Sequence, residues 1–385
     1  MSNGKGIVVI NNKESGDGRQ GVLTQRFERV RRAMEREGVE ALLVCSPENI
    51  FYLSGFAGSA GILFVDQEHA CLFVDFRYVE QAKTQAVPCE IVELASERGE
   101  LAVGFLREKG WLKGAPQTRL SMGLEEDFLS WRLYEDYGEW LSECEPVGIS
   151  QMLARLRQVK DCWELELMKQ AAALTDRGFA YILGQIQPGK TEKEVALALE
   201  VALRAWGAEG CSFDFIAASG PRSSMPHALA SERVLSRGDL LTLDFGVKLN
   251  GYCSDMTRTV CLGEPTARQR EIYDIVLRAQ ETGLKALIAG KTGREVDACA
   301  RAVIAEAGYE SHFGHGLGHA LGIVVHEEPR LNTRDETVLL PGMVVTVEPG
   351  IYVPGWGGVR IEDMAVVTEK EAEVLTRAPK QFIII

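Results

Sequence analysis

Apolar and polar positions divide this chain into two stretches of different rhythm. From Leu23 to Gly38 apolar residues recur at helical spacing, and Ala41–Val44 is a continuously apolar run of buried-strand type. Strand-like runs return at Gly61–Val65 and Ala70–Val74, and helical ones at Tyr78–Gln85 and Leu101–Lys109. This alternation, continuing to about residue 145, predicts a compact α/β domain over 21–150, preceded by a loose polar extension at 1–20. Gln151–Lys160 reads as a connector. The second domain, 151–385, opens with a long helix over Asp161–Gln185, ended by Pro188-Gly189. Thr191 caps the next helix, with Glu194 at the capping-box position. A strand at Ser212–Ala218, helices at Ala267–Ala289 and Thr292–Ala307, and a terminal strand at Phe382–Ile385 complete the pattern.

One segment, Gly238–Val260, organises the rest. Its apolar run Leu240–Val247 meets Asn250-Gly251, a pair that tolerates positive φ and so favours a tight hairpin. Asp244 and Asp255 fall inside the predicted strands, where Asp is depleted, and folding about the turn sets them roughly opposite each other. Like charges opposed across a ladder repel; a cation between them removes the conflict. The pattern then repeats. GDLLTLD (Gly238–Asp244) is echoed by GMVVTVE (Gly342–Glu348), GYCSDMTRTV (Gly251–Val260) by GVRIEDMAVV (Gly358–Val367), and PGKTEKEV (Pro188–Val195) by AGKTGREV (Ala289–Val296). Three matched blocks in order predict two related halves about a pseudo-twofold. Two hairpins would then gather Asp244, Asp255, Glu348 and Glu362, all expected within apolar strands.

Composition narrows the function. A net charge of −13 and a pI near 5.1 disfavour nucleic acid and anionic membrane as partners. Nine cysteines without a CxxC pair fit reduced thiols and a cytoplasmic location. The early apolar run Gly6–Ile10 is too short for a signal peptide or membrane span.

Four clustered carboxylates raise one another's pKa values unless neutralised. Two divalent cations supply +4 against −4, and a pair of metals ~3.5–4 Å apart is a standard arrangement for hydrolysis. Oxygen-rich ligands with one imidazole suit Mn²⁺ best, with Co²⁺ and Zn²⁺ as alternatives. Five of the six histidines lie between 227 and 326, three of them in Gly314–Pro329. His315 and His319 have helical zinc spacing, but Gly314, Gly316, Gly318 and Gly322 argue against a helix there.

The residues LDFG…NGYCSDMTRT, HGLGHALGIVVHEEP, VTVEPGIY and GVRIED resemble the metal-dependent proline-specific peptidases, aminopeptidase P and prolidase. The resemblance covers the second domain, and YLSGFAGSAG (Tyr52–Gly61) with DFRYVEQA (Asp75–Ala82) extends it to the first. It implies an α+β "pita-bread" catalytic domain with pseudo-twofold halves, preceded by a smaller α/β creatinase-type domain. It further implies an Xaa-Pro metallopeptidase whose metal ligands are Asp244, Asp255, His319, Glu348 and Glu362, with Asp255 and Glu362 bridging. Glu348 would be the general base, His326 would contact substrate at the scissile bond, and His227 would steady the tetrahedral intermediate. His315 would line the site, Arg360 would buttress the ligands, and Tyr352 would line the proline subsite.

A methionine aminopeptidase and a non-catalytic binding relative share the fold. The first generally lacks the creatinase-type domain, and the second is recognised by lost ligands, none of which is lost here. Dipeptidase and aminopeptidase remain the two readings within the family. Arg330, four residues past His326, matches an arginine that in some prolidases holds the free carboxylate of a dipeptide; the alternative is a solvated surface residue. The family also implies a homodimer, with Tyr52 and Phe56 expected to be exposed near a second copy.

Overall fold

The computed structural model describes residues 7–10, 18–95, 99–112, 119–136 and 144–385. Contacts divide the chain into two compact units, Met1–Arg157 and Gln158–Ile385. The boundary falls within the stretch read as a connector, which is not a loop. Ser150–Gln158 is helical, and Met152, Leu153 and Leu156 bury one face of it at helical spacing.

The first unit is built on seven strands: β1 (Ile7–Ile10), β2 (Ala41–Val44), β3 (Ile62–Asp66), β4 (Ala70–Asp75), β5 (Glu90–Leu94), β6 (Leu120–Leu124) and β7 (Cys144–Gly148). They form one mixed sheet in the order β1-β5-β4-β3-β2-β6-β7. Ile7–Ile10 is thus an edge strand and Gly18 already begins a helix, α1 (Gly18–Glu37). The stretch expected as a loose extension is to that extent ordered; its remaining residues lie outside the described ones. Among the described residues, helices α2 (Pro47–Ser54), α3 (Val79–Gln85), α4 (Gly99–Lys109) and α5 (Trp131–Asp136) complete the unit.

Tyr52 and Phe56, expected to be exposed, are both fully buried. The Tyr52 hydroxyl donates to the Leu156 carbonyl at 2.9 Å, beneath the Arg26 guanidinium, and Phe56 packs edge-on against Tyr78. Turn-like glycines around YLSGF gave the false signal; the aromatics between them are core.

The second unit follows α6 (Ser150–Gln158) and carries four helices, α7 (Cys162–Leu183), α8 (Glu192–Ala205), α9 (Ala267–Ala286) and α10 (Gly293–Glu306). Each begins with a reciprocal capping box: Asp161/Glu164, Thr191/Glu194, Thr266/Gln269 and Thr292/Glu295. The repeat seen in the sequence extends to the backbone. Thr191 bridges to Val234 and Thr292 to Val338, and the Lys190 and Lys291 carbonyls each accept an amide at 2.8 Å, from Leu235 and Leu339.

The strands of this unit are β8 (Gly210–Cys211), β9 (Ile216–Ser219), β10 (Leu240–Phe245), β11 (Val247–Leu249), β12 (Tyr252–Cys253), β13 (Met256–Cys261), β14 (Gly318–Ala320), β15 (Glu327–Leu331), β16 (Val344–Val347), β17 (Gly350–Val353), β18 (Gly357–Arg360), β19 (Asp363–Val366) and β20 (Glu373–Val374). Each predicted hairpin changes sheet half-way. The tip of the first, β11–β12, joins β8, while its base, β10–β13, joins β9. In the second, β17–β18 stands as a separate pair and β16–β19 belongs to a five-stranded sheet. The first turn has Asn250 at φ 50° and Gly251 at φ 83°, between the paired residues Leu249 and Tyr252. This two-residue loop sets the register two positions away from the expected one. Asp244 faces Thr257, and Asp255 lies two residues along, outside the ladder. Instead of a strand end, the Phe382–Ile385 segment makes a parallel bridge from Ile384 to Cys261.

Candidate metal centre

The sheet-switch points are where the acids sit. Asp244 alone lies within a strand; Asp255 precedes β13, Glu348 follows β16, and Glu362 precedes β19. The expectation that all four occupy strands is therefore corrected, and the reason is physical. At a switch point the ladder is interrupted, so a side chain can turn inward without an opposed neighbour. Gly246 permits the break: a Cβ there would lie 1.8 Å from the Ser254 carbonyl oxygen. His319 comes from β14, whose register with β15 slips between His319 and Ala320.

These elements bring the predicted residues together. Ligand atoms of Asp255, His319 and Glu362 all lie within 4.8 Å of one another. His319 Nε2 stands 3.7 Å from Asp255 Oδ2 and 3.5 Å from Glu348 Oε1. Its Nδ1 faces the Ala320 carbonyl at 3.1 Å; a carbonyl only accepts, so Nδ1 carries the proton and Nε2 presents its lone pair to the carboxylates. Thr257 Oγ1 donates to Glu362 Oε2 at 2.7 Å, and Thr346 Oγ1 to Glu348 Oε1 at 3.2 Å. Arg360 is buried and donates to Asp244 Oδ2 at 2.6 Å, Thr257 Oγ1 at 3.0 Å and the Tyr352 hydroxyl at 2.9 Å. Tyr352 also meets His315 Nε2 at 2.8 Å.

The electrostatics are those of too much negative charge in too little water. Burial, then Glu362, Asp244 and Glu348, push the Asp255 carboxyl well above the carboxylate range. Burial, with Glu348 and Asp244, does the same to Glu362. Glu348 is pushed up to about 7, mainly by burial and by Asp244, against the pull of Arg360. Burial lowers His319 to about 3 and His315 to about 4, and it also lowers His326, so these imidazoles are neutral. One Asp244 oxygen, Oδ1, is buried with no hydrogen-bond partner. An orphaned carboxylate oxygen, mutually destabilised acids and a tautomer-fixed imidazole form a donor set that fits hard divalent cations.

Beside the acids opens a cavity of about 430 Å³ lined by His227, His315, His319, His326, Arg330, Glu348 and Arg360. Every histidine predicted for the site reaches it, and the His326 ring lies 4.6 Å from that of His319. Tyr352 does not line it but stands behind, bonded to Arg360 and His315. Thr257, Thr346 and the cavity-lining Asn332 were missed in the sequence. The two threonines had a signal: each falls inside an echoed block, two or fewer residues from an acid.

Residues 166–369 match the metallopeptidase family M24, and residues 26–159 match the creatinase/prolidase N-terminal domain. The chain belongs to family M24. This M24 peptidase is 36% identical to the Xaa-Pro dipeptidase of Pyrococcus furiosus, over 94% of this chain and 100% of that one. Among solved structures it superposes on an Xaa-Pro dipeptidase from Bacillus anthracis with TM-score 0.88 and 44% identity, covering 94% of this chain and 100% of the other. It superposes on an X-Pro aminopeptidase from Thermotoga maritima with TM-score 0.85 and 38% identity, covering 93% and 99%. The M24 peptidase therefore has a creatinase-type domain followed by a pita-bread domain. No helix among its described residues is long and apolar enough to cross a membrane.

Proposed function

We propose that this M24 peptidase is an Xaa-Pro dipeptidase that binds two divalent cations, Mn²⁺ by preference, at Asp244, Asp255, His319, Glu348 and Glu362. Bound there, the cations supply Lewis acidity and a water of lowered pKa. Glu348, on the wall of the cavity, takes the water's proton and passes it to the leaving proline nitrogen. His326 and His227, both on the cavity wall, donate to the oxygen that gains charge as the carbonyl is attacked. Asp255 and Glu362 would hold the cations from the two halves, and Arg360 holds Asp244 and, through Tyr352, the His315 side of the cavity.

Relatives of near-equal similarity are named for dipeptides and for aminopeptidase action, so the choice rests on Arg330. Its guanidinium lines the cavity, and its only side-chain contact among the described residues is a 3.4 Å approach to Glu328. Uncommitted donors beside the acids suit the free carboxylate of a C-terminal proline, which a guanidinium binds bidentately. The deciding experiment compares rates on Xaa-Pro and Xaa-Pro-Yaa with Mn²⁺; faster cleavage of the tripeptide would reverse the assignment.

The exposed aromatics Phe76 and Trp131 of the first unit support a homodimer, testable by sedimentation at micromolar concentration. Nine cysteines, all free, suit the cytoplasm.

A further inference from the structure

Behind the acids lies a second set of charges that catalysis does not use. Arg258 is fully buried, although it stands one residue from Thr257. Side chains alternate along a strand, so Thr257 faces the centre and Arg258 the opposite side; Glu362 and Asp363 divide in the same way. All five Arg258 donors are engaged. Nη1 binds the Thr257 carbonyl at 2.9 Å and the Glu362 carbonyl, Nη2 binds Asp363 Oδ1 at 2.7 Å and the Ala378 carbonyl at 2.8 Å, and Nε reaches the Ala378 and Pro379 carbonyls. Asp363 is equally saturated. Its Oδ1 also accepts from Thr376 Oγ1 at 2.8 Å, while Oδ2 accepts from Gln280 at 2.9 Å and Lys380 Nζ at 2.7 Å.

This network ties together four segments distant in sequence: β13 of the first hairpin, Gln280 of α9, the start of β19 in the second hairpin, and Thr376–Lys380. Two of its four carbonyl acceptors, Thr257 and Glu362, lie on the strands that carry the bridging acids. The Glu362 amide also donates to the Thr257 carbonyl at 3.1 Å, so the Arg258 guanidinium and that amide converge on one crossing point of the two halves. A buried ion pair adds little net stability over an apolar substitute, but it fixes geometry where it is fully satisfied. A site holding two cations needs its bridging carboxylates at a fixed separation.

We infer that Arg258, Asp363 and the segment Thr376–Lys380 form a positioning clamp that sets the separation of Asp255 and Glu362 and so the affinity for the second cation. The clamp rests on the two-cation reading given above. Each half contributes one bridging acid, and the clamp is the buried link between the strands that present them. Thr376, Ala378, Pro379 and Lys380 all contact the pair, so this segment acts on the centre without touching it.

The test is a calorimetric Mn²⁺ titration of the metal-free protein, run well below the melting temperature, which needs no peptide substrate. Wild type should take up two ions per chain. In Asp363→Asn the tighter site should be retained and the weaker one lose affinity ~10–100-fold, the usual consequence of disturbing a ligand's support. Lys380→Met, which removes a partly exposed partner and leaves the Arg258–Asp363 pair in place, should show a smaller loss at the same site. A lowered melting temperature with both affinities at wild-type values would make the network merely structural and overturn the clamp. Should Asp363→Asn fail to fold, Lys380→Met decides by the same readout: unchanged affinities overturn the clamp, a loss confined to the weaker site supports it. Wild type taking up no metal would instead overturn the functional reading, and the clamp with it.

Discussion

Arg360 Nη2 lies 2.6 Å from Oδ2 of Asp244, while Oδ1 of the same carboxylate is buried with no hydrogen-bond partner. One oxygen is thus held by a fixed cation and the other is left for a mobile one. Arg360→Lys should test this division. A lysine ammonium cannot reach Asp244, Thr257 and Tyr352 together, because it lacks the planar fork. We expect Mn²⁺ affinity to fall ~10–100-fold with the fold intact. Metal binding at the wild-type level would remove Arg360 from the support of the centre.

Asp244→Asn keeps the shape and the Oδ position but removes the charge. Both the ion pair with Arg360 and one ligand charge are lost, so metal affinity and turnover on Ala-Pro should fall together. Full activity with Mn²⁺ at saturation would show that the orphaned oxygen has another purpose.

His326→Ala separates binding from catalysis. The ring neighbours His319 but is not tied to the acids, so metal content should survive its removal. If it donates to the developing oxyanion, kcat falls by ~10²–10³ with metal still bound, the usual cost of losing one such donor. A rate near wild type would reduce His326 to a packing residue.

Much of this centre was legible in the sequence because function leaves acids where local propensity does not want them. Asp244 amid Leu240–Phe245 and Glu348 after Val344–Val347 have no structural excuse, and the echoed blocks carried the argument to Glu362. The hairpin register was not legible to the same degree. Its two-residue shift depends on Asn250-Gly251 forming the loop and not Leu249-Asn250, a choice the apolar pattern does not make. Switch points were also invisible, since a strand that changes sheet keeps its apolar run. Tyr52 and Phe56 show the converse error, where turn-forming neighbours suggested a surface and packing decided otherwise. Arg258 and Asp363 carried no signal in the sequence, because their partners in the C-terminal segment lie more than ten residues away.

Metal removal should matter more in alkaline than in acidic solution. Without cations, Glu348 titrates near 7 in the folded protein against its ordinary value of 4.5, and Asp255 and Glu362 are shifted upward as well. The folded state then binds more protons than the unfolded one between these limits, so stability falls as pH rises from about 4.5 to about 7 and stays low above. Cations relieve that penalty and compete with protons for the same oxygens. Calorimetry with EDTA and with Mn²⁺ should therefore give a larger gain in melting temperature at pH 8 than at pH 5.5. Equal gains at both would mean that the acids are not the groups the metal neutralises.

The last prediction concerns Arg330, which pairs in register with His319 across β14 and β15. Pairing places the two side chains on the same face, so a residue that reaches the acids and one that reaches the cavity stand side by side. Arg330 lines the cavity, and its field adds to burial in lowering His319 and His326 while opposing the rise of Glu348. A dipeptide cleaved at Xaa-Pro ends in a carboxylate one proline ring away from the scissile bond. A tripeptide presents a neutral amide at that place and leaves the guanidinium without an anion. Arg330→Ala should therefore raise KM for Ala-Pro by ~10-fold or more, the size of one charged hydrogen-bonding partner lost, and change Ala-Pro-Ala little. Because Arg330 would hold the terminal carboxylate and not the reacting atoms, kcat on the dipeptide should move less than KM. The wild-type ratio of the two rates and the ratio in the variant together decide the matter. A preference for Ala-Pro that persists after the change would place the carboxylate against another donor, and equal losses on both peptides would mark Arg330 as a support for His319 instead.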